Sequence, residues 1–273
     1  MGDSVKKVLF VNSEMYPYLP ETDIARIGRE LPQGIQERGR EIRVFMPRYG
    51  CINERKNQLH EVIRLSGINI IVGDVDHPLV IKVASISQAR IQVYFIDNDD
   101  YFKRKLIYRG EDEKFFADNG ERAIFFARGV LETVKKLRWA PDIIHCQGWI
   151  SHVLPLYLKK VYKDDPIFAG SKVVLSLYGD TPQEALGENF AATVPFGSIK
   201  PKDVPLTPEA TGEDLAKMAA KYADGIIMGS GSVSEGLVEY CKGLDVPVMD
   251  FNPEAVANGT YAGDYNGFYD LIL

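Results

Sequence analysis

The sequence predicts an α/β protein with a Rossmann-like, doubly wound and mostly parallel sheet that carries an antiparallel edge. Short apolar runs alternate with segments of helical periodicity along most of the 273 residues, which is typical of parallel strands joined by helices. Between residues 61 and 96, four apolar runs instead follow one another across short turns, which favours antiparallel pairing at one edge. A ligand crevice is then expected at the carboxyl ends of the parallel strands.

The first elements form a strand–helix–strand unit. Residues 7–12 are a run of valine, leucine and phenylalanine, which predicts a strand buried on both faces. Apolar residues recur at helical spacing over 24–35, with Asp23 as the predicted N-cap and Gly39 as a stop. The second strand is predicted over 41–46.

Strands and helices alternate again in the second half of the chain. The segment 179–208 is rich in proline, glycine and threonine, which predicts a surface loop. A terminal helix over 264–273 would pack back on the sheet. The other predicted elements are helices over 113–137, 149–162, 212–222 and 232–241, and strands over 141–146, 172–178 and 224–228.

Composition excludes several classes of partner. The formal net charge of -6 gives no concentrated positive face for nucleic acid or an anionic membrane. Met1–Ser4 lead directly to Lys6 without a signal peptide, and no apolar run reaches the roughly 18 residues of a membrane span. Cys51, Cys146 and Cys241 show neither disulfide nor zinc spacing. We therefore expect a cytoplasmic protein.

Several segments share the order and spacing of motifs in one enzyme family. They resemble the N-terminal half of bacterial glycogen synthases and plant starch synthases, which are retaining GT-B glucosyltransferases that use ADP-glucose. The resemblance covers nearly the whole chain and implies one N-terminal-type domain over residues 1–273, with no C-terminal nucleotide-binding domain. The segments are residues 8–14 with Pro17, 31–32, 39–50, 93–97 with Tyr101 and Phe102, 118–126 and 139–145.

The first loop departs from the family motif. The family carries Lys-Thr-Gly-Gly-Leu there, and its lysine and backbone amides contact the sugar nucleotide, whereas this chain has Pro20-Glu21-Thr22-Asp23-Ile24. Pro20 removes an ammonium group and a backbone donor, while Thr22 and Asp23 cannot take positive φ values without steric cost. Glu21 and Asp23 add negative charge where a pyrophosphate would lie. The donor site implied by the resemblance is therefore degenerate.

Two later motifs also differ. Where the family reads His-x-x-Asp-Trp-His, with its last histidine facing the transferred sugar, this chain has Ile150 in place of that imidazole. His152 would point away from that position on a helix. The next family strand ends in Thr-x-His-Asn, and here Tyr178 stands at the histidine. We therefore expect no catalytic residue from the family set.

The resemblance still implies a set of ligand-binding candidates. His145 could bind a sugar, but a hydrogen-bonded core histidine is the simpler interpretation, and Trp149 could stack on a sugar or anchor the following helix. The residues 118–122 could line the acceptor side of the crevice or cap and bridge the start of a helix. The candidates are Ser13, Glu14, Asp118, Asn119, Arg122, His145, Trp149 and Tyr178.

Two polar runs have some of the features of ion sites. The residues 97–100 follow a strand as consecutive polar residues, which favours a turn over a calcium loop. The residues 229–234 lie at a strand-to-helix junction and could cradle an anion. We expect neither a metal nor a cofactor.

Three functional hypotheses follow. The favoured one is a glycogen/starch synthase-like domain that is catalytically impaired or inactive alone, with a carbohydrate-binding or regulatory role in glycogen metabolism and glucan or sugar nucleotide as partner. An active glucosyltransferase subunit, completed by a partner chain or a homodimer docked on 179–208 or the tail 265–273, is the second. The third is an unrelated small-molecule binding protein or hydrolase, for which Tyr178, His145 and Asp180 are the candidates.

Overall fold

A computed structural model of the chain describes residues 5–273. Met1–Ser4, on which the expectation of no signal peptide partly rests, lie outside these residues. The described strands form a single sheet in the order β10-β9-β8-β7-β1-β2-β6-β5-β3, with β4 paired to β5. The strands are β1 Lys7–Asn12, β2 Glu41–Pro47, β3 His60–Glu61, β4 Ile68–Val72, β5 Val75–Ile86, β6 Ile91–Asp97, β7 Ile143–Gln147, β8 Lys172–Leu177, β9 Gly225–Met228 and β10 Val248–Met249.

Helices join these strands and cover the sheet. The longer ones are α1 and α3, and the terminal helix α9 packs against α1. The helices are α1 Asp23–Gln36, α2 Asp99–Phe102, α3 Asn119–Leu137, α4 Leu154–Lys160, α5 Phe190–Thr193, α6 Gly212–Lys221, α7 Glu235–Lys242, α8 Pro253–Ala257 and α9 Tyr261–Ile272. None of these described helices combines the length and apolar character that crossing a bilayer requires.

The predicted fold class is confirmed. The strands from β10 through β1 to β6 pair in parallel, whereas β5 pairs antiparallel with β6, β4 and β3. The chain runs from β1 outward to β6 and then returns to β7 on the other side of β1. This reversal places a crevice at the carboxyl ends of β1 and β7, as expected for a doubly wound sheet.

Two predicted helices are shorter than the periodicity suggested. The predicted helix over 113–137 begins only at Asn119, because Glu113 has a φ of 61° and Arg109 bridges to Phe115. The predicted helix over 149–162 is a single 3-10 turn, Trp149–Ser151, followed by α4. Residues 154–158 are all buried, so α4 is a core helix and is not amphipathic.

Other details of the prediction are also corrected. The N-cap of α1 is Thr22, one residue before the predicted Asp23, since the Thr22 hydroxyl accepts the amide hydrogen of Ala25. The predicted surface loop over 179–208 contains α5 and buries Leu186, Phe190 and Val194. The terminal helix is present as predicted, in the form of α9. The strand β10 and the helices α2 and α8 were not predicted.

Candidate functional site

A cleft of about 290 Å³ lies at the carboxyl ends of β1, β8 and β9. Glu14 from the first loop and Asp180 from the segment after β8 face it, and Asp23 lies at its rim. Thr22, Tyr178, Ser230 and Ser232 contribute hydroxyl groups. Of the described residues that line this cleft, none is a lysine or an arginine, so its local charge is negative.

The first loop holds its polar groups by contacts within itself. The Thr22 hydroxyl donates to Oε2 of Glu14 at 2.9 Å and accepts the amide of Ala25 at 3.1 Å. Burial raises the pKa of Glu14, although the hydrogen bond from Thr22 acts in the opposite direction. Asp23 is exposed and lies 3.4 Å from the guanidinium of Arg26. The loop that the resemblance assigned to a sugar nucleotide therefore presents carboxylates to the cleft.

Gly148 brings Ser13 and Asp180 together. A Cβ at position 148 would lie 2.0 Å from Oγ of Ser13 and 3.2 Å from Oδ2 of Asp180. The same Oδ2 accepts the amide hydrogen of Trp149 at 2.9 Å. In the family motif quoted above, the residue before this tryptophan is aspartate. The carboxylate of Asp180, in the segment after β8, thus contacts the amide of Trp149, the tryptophan that an aspartate precedes in the family motif.

Several polar atoms in this part of the molecule remain unsatisfied. Ser13 is 1% exposed, and its Oγ has no hydrogen-bond partner among residues 5–273. Two further buried oxygens, Oδ1 of Asp180 and Oε1 of Gln147, also have no hydrogen-bond partner in the described chain. Gln147 as a whole is buried, whereas Asp180 is half-buried. Burial, and next to it the charge of Glu14, raise the pKa of Asp180 to about 6. Because buried polar atoms are normally paired, these unpaired atoms lower the stability of the folded protein.

Tyr178 forms one wall of the cleft. Its hydroxyl accepts a hydrogen bond from Nε2 of Gln147 at 3.0 Å, and burial raises its pKa to about 12. A Cβ at Gly229 would lie 2.5 Å from the Tyr178 ring, so the tyrosine fits only because residue 229 has no side chain. Tyr178 therefore stands rigidly at the position where the family motif carries a histidine.

The histidines of this region lie inside the core. Nδ1 of His145 contacts the Tyr269 hydroxyl at 2.6 Å and Nε2 contacts Oγ of Ser176 at 2.6 Å. Burial lowers the pKa of His145 to about 3, so the ring is neutral. His152 is also fully buried, and its ring nitrogens have no hydrogen-bond partner in the part of the chain that the structure describes. Ile150, at the position of the family imidazole, is completely buried.

The candidates near the start of α3 form a satisfied internal cluster. Arg122, which is 1% exposed, donates to the carbonyl oxygens of Tyr101 at 2.8 Å and Ile107 at 2.6 Å, and to Oδ1 of Asn119. Nδ2 of Asn119 donates to the carbonyl of Tyr108 at 2.9 Å. These two residues therefore position the segment before α3 rather than reaching the cleft.

Asp118 and Trp149 lie at the edges of this cluster. The Asp118 carboxylate pairs with the guanidinium of Arg104, with Nη1 and Oδ1 2.8 Å apart. Trp149 is 1% exposed and its ring packs against Tyr108 and Phe115 with centroids 5.0 and 6.1 Å apart. Its side chain is thus covered by aromatic neighbours, whereas Asp118 remains partly exposed.

A second groove of about 910 Å³ lies beside Asp118. The β4–β5 hairpin, α2, the first turns of α3 and the α5 segment enclose it. Its polar lining includes His77, whose Nδ1 lies 2.9 Å from Oδ2 of Asp100, and Tyr101, whose hydroxyl donates to Oε2 of Glu121 at 3.1 Å. Sequence reasoning missed this groove, because its walls come from segments more than 100 residues apart that share no motif.

The two polar runs serve the fold. Asn98 is the N-cap of α2, and Asp97 lies 2.9 Å from Nε of Arg48 and 3.0 Å from Nζ of Lys82. Residues 5–273 contain no group of histidine, cysteine and carboxylate side chains suited to a metal ion. At the predicted anion cradle, Oγ of Ser230 accepts the amide hydrogen of Ser232 at 3.0 Å, which occupies one of the cradle's donors.

Comparison with known proteins gives a consistent result. Residues 7–246 match the family described as the starch synthase catalytic domain. The glycogen synthase of Chlorobium limicola is 36% identical over 98% of this chain and 55% of its own length. The glycogen synthase of Pelodictyon phaeoclathratiforme is 40% identical over the same shares of the two chains. The chain therefore spans about half the length of these curated relatives.

A solved structure shows the same fold. The catalytic domain of starch synthase IV from Arabidopsis thaliana, bound to ADP and acarbose, superposes with a TM-score of 0.70 at 15% identity. The alignment covers 91% of this chain and 51% of that protein. At this identity the likeness concerns the fold alone.

Proposed function

Because this chain belongs to the starch synthase catalytic domain family, we propose that it is a carbohydrate-binding relative whose own crevice no longer accepts a sugar nucleotide. It would act beside glycogen metabolism, in the cytoplasm, as a glucan-binding or regulatory domain. Residues 1–273 are proposed to form one domain of the N-terminal glycogen synthase type. The observation that carries this proposal is the negative, lysine-free lining of the cleft among the described residues.

Electrostatics argues against a diphosphate in this cleft. Glu14 and Asp180 face it, and Asp23 lies at its rim. Two like unit charges 4 Å apart repel by about 4 kcal/mol at the effective dielectric constant of a protein surface. Thr22 also starts α1 with an extended backbone and its own hydroxyl as the cap. One amide of the first turn of α1, that of Ala25, is therefore paired with the chain itself.

The residues that replace the family histidines cannot stabilise the charge that develops during glucosyl transfer. Ile150 is apolar and buried, and Tyr178 keeps its proton with a pKa raised to about 12. Loss of one preorganised donor at a developing charge costs roughly 3 kcal/mol in catalysis. Together with the acidic first loop, these replacements support a catalytically impaired domain.

The second groove supports the carbohydrate-binding part of the proposal. Its volume of about 910 Å³ is within the range of ligand pockets and suits a short glucan. Asp100, Asp118 and Glu121 offer carboxylates for sugar hydroxyls, and the Phe196 ring, with Arg128 stacked 3.9 Å from its centroid, offers an aromatic surface. Charge-assisted hydrogen bonds and ring stacking are the interactions that a neutral polyhydroxyl chain needs.

The two segments predicted as docking surfaces are packed into the fold only in part, because Leu271 and Leu273 of the tail are exposed. Leu186 and Phe190 of the 179–208 segment are buried, and so are Tyr265 and Tyr269 of the tail. The buried parts of the two segments are not free to dock a partner chain.

An activity assay tests the proposal directly. Purified protein is incubated with ADP-glucose and maltoheptaose, and we expect ADP release no faster than in a blank without protein. Maltoheptaose alone should bind in a calorimetric titration, and Phe196→Ala should weaken that binding at least tenfold. Phe251→Ala, a half-buried phenylalanine outside the groove, is the matched control. Steady ADP release above the blank contradicts the proposal.

A motif-restoring variant tests the role of the first loop. The combined change Pro20→Lys, Glu21→Thr, Thr22→Gly and Asp23→Gly rebuilds the family residues except for Ile24. We expect ADP-glucose to bind this variant at least tenfold more tightly than the parent, because glycine amides and a cation return to the loop. Glu21→Gln alone is the control, and equal affinities for all three proteins would show that the loop is not the cause.

A further inference from the structure

Four titratable side chains form a continuous hydrogen-bonded chain along the wall of the second groove. Nδ1 of His77 lies 2.9 Å from Oδ2 of Asp100, and its Nε2 lies 3.0 Å from the Tyr101 hydroxyl. That hydroxyl lies 3.1 Å from Oε2 of Glu121. The order is therefore carboxylate, imidazole, phenol and carboxylate, and each of the three contacts needs one bridging hydrogen.

The usual protonation states supply too few hydrogens for these contacts. At neutral pH an ionised carboxylate has no hydrogen to donate, whereas a neutral imidazole and a phenol have one each. Two hydrogens cannot bridge three contacts, so two acceptors would face each other at one of them. A third hydrogen completes the chain, because His77 then donates to both Asp100 and the Tyr101 oxygen while Tyr101 donates to Glu121.

The imidazole of His77 is the group that takes the third hydrogen most readily. A histidine ordinarily binds its second proton at about pH 6.5, and a glutamate binds one only at about pH 4.3. Tyr101 keeps its own hydrogen, because burial, and next to it the charge of Glu121, raise its pKa. His77 is 7% exposed, so water competes little for these contacts.

The charges around His77 favour a cation at this position. Carboxylates outnumber the single arginine among the charged groups that line the groove with it. These groups are Asp74 on its own hairpin, Asp100 on α2, Asp118 before α3, and Glu121 and Arg128 on α3. The α5 segment contributes no charged side chain to the described lining. The Arg128 guanidinium is itself engaged, since it donates to the Ile71 carbonyl and stacks on the Phe196 ring.

This chain of contacts joins three of the elements that shape the groove. His77 belongs to β5 in the β4–β5 hairpin, Asp100 and Tyr101 belong to α2, and Glu121 belongs to α3. Each of the two carboxylates uses one oxygen in the chain and has a second oxygen for a ligand hydroxyl. Loss of one bridging hydrogen would therefore loosen the hairpin from α2 and change the orientation of these carboxylates.

We propose that His77 is a positioning residue of the groove, and that its doubly protonated ring holds the groove in a glucan-binding shape. Glucan affinity then falls as the pH rises above neutral. The sign follows from linkage, because a histidine that gains acceptors in the folded state contributes fully at acid pH and loses that contribution when its proton leaves. The effect on glucan rests on the proposed function, whereas the protonation of His77 does not.

Nuclear magnetic resonance of the unliganded protein tests the proton directly. The chain has four histidines, and nitrogen-15 labelling of their rings distinguishes a doubly protonated ring from a neutral one. At pH 7.5 we expect two ring protons on His77 and a mostly neutral ring on the exposed His60. The variants His77→Gln and His60→Gln assign the signals. A neutral His77 ring at pH 7.5 overturns the inference.

Glu121→Gln separates the third hydrogen from the hydrogen bonds. The amide can donate to Tyr101, which then donates to a neutral His77, so all three contacts persist without an extra proton. We expect His77 in this variant to lose its second ring proton at a pH at least one unit lower than in the parent. Asp245→Asn, at an exposed carboxylate outside the groove, should leave the titration unchanged. An unchanged titration in Glu121→Gln overturns the inference as well.

Calorimetric titration with maltoheptaose at pH 6.5 and pH 9 tests the consequence for the groove. The parent should bind at least fivefold more weakly at pH 9, because His77 has then lost the bridging hydrogen. In Glu121→Gln, which needs no extra proton, the two affinities should differ by less than twofold. Equal affinities of the parent at the two pH values contradict the positioning role of His77.

The two proposals fail in different ways. If maltoheptaose binds at neither pH, the proposed function is contradicted, and with it the effect on glucan, while the His77 ring still decides the protonation. If maltoheptaose binds equally at both pH values, or if the His77 ring is neutral at pH 7.5, only this inference is contradicted.

Discussion

Buried polar groups are paired in one region of the molecule and unpaired in another. We call the first region, around Arg122 and His145, the framework, and the second, around Ser13 and Asp180, the crevice. In the framework, Arg122 donates to three oxygens, and both nitrogens of His145 have hydroxyl partners. In the crevice, Oγ of Ser13 and Oδ1 of Asp180 are buried without a partner in the described part of the chain. Arg122 lies on α3 and His145 on β7, whereas Ser13 and Asp180 follow β1 and β8 of the same sheet.

The difference separates residues that hold the fold from residues kept for a ligand. Satisfied polar groups stabilise a unique packing, whereas unsatisfied ones cost free energy and persist mainly where a binding partner completes them. Substitutions in the framework should therefore destabilise the protein, and substitutions in the crevice should leave it unchanged or more stable.

The largest effect is expected from Arg122→Ala. The substitution leaves the carbonyls of Tyr101 and Ile107 without a donor and opens a cavity among aromatic rings. We expect the free energy of unfolding to fall by about 4 kcal/mol, from unsatisfied acceptors of about 1–3 kcal/mol each and the lost packing. Urea unfolding at pH 7 measures this.

Arg55→Ala, at an exposed position, is the control and should change the unfolding free energy by less than about 0.5 kcal/mol. A small effect of Arg122→Ala would remove the distinction between the two regions.

Acid should destabilise the protein through two fully buried histidines, His145 of the framework and His152. Burial lowers the pKa values of His145 and His152 to about 3, below the ordinary value of 6.5. The unfolded chain therefore takes up protons below pH 6.5 while the folded one does not, and stability is lost as the pH falls. We expect a loss of about 3 kcal/mol between pH 7 and pH 5.

Urea unfolding at the two pH values, in the parent and in His152→Leu, measures this loss. The variant should lose about half of the pH dependence, because its buried leucine does not titrate. His60→Leu, at an exposed histidine, should behave like the parent. A parent protein as stable at pH 5 as at pH 7 would contradict the prediction.

In the crevice, Asp180→Asn should stabilise the protein at pH 7.5. The folded pKa of Asp180 is raised from 3.8 to about 6, so the ionised carboxylate costs stability above pH 6. The amide removes that cost and still accepts the Trp149 hydrogen bond. We expect a gain of roughly 1–2 kcal/mol, below the value of the full pKa shift because Asp180 is only half-buried.

The gain has a definite pH dependence. Below pH 6 the parent carboxyl becomes protonated and the cost disappears, so the two proteins should converge in thermal unfolding as the pH falls toward 4. Asp245→Asn should show no gain at pH 7.5. Destabilisation by Asp180→Asn at pH 7.5 would place Asp180 in the framework.

Much of the fold was predictable because its strands are apolar runs. Residues 7–12 form β1 as predicted, and β8 differs from its prediction by one residue, since both strands are buried on both faces. The helix over 113–137 was overextended because Phe116 fits the helical period. The left-handed φ of Glu113 is set by tertiary contacts, which periodicity does not report.

The site was predictable only where a motif marks it. Comparison of the first loop with the family motif led to the acidic lining, and the proline and carboxylates could be recognised from the sequence alone. The meeting of Ser13 and Asp180 over Gly148 could not be recognised, because it depends on a positive φ of 83° and on contacts between three strand ends. The second groove left no sequence signal for the same reason.

The smallest expected effect comes from removing one serine hydroxyl in each region. Because the same substitution is made twice, it is the most closely matched comparison of the framework with the crevice. Ser176→Ala removes the hydroxyl partner of His145 Nε2 and leaves a buried nitrogen unsatisfied, so it should lower the unfolding free energy by about 1–2 kcal/mol. Ser13→Ala removes a hydroxyl that has no partner in residues 5–273, and it should change the unfolding free energy by less than about 0.5 kcal/mol. Both side chains are buried, so burial alone predicts equal losses in urea unfolding. A difference with Ser176 the more sensitive serine would show that pairing, rather than burial, divides the framework from the crevice.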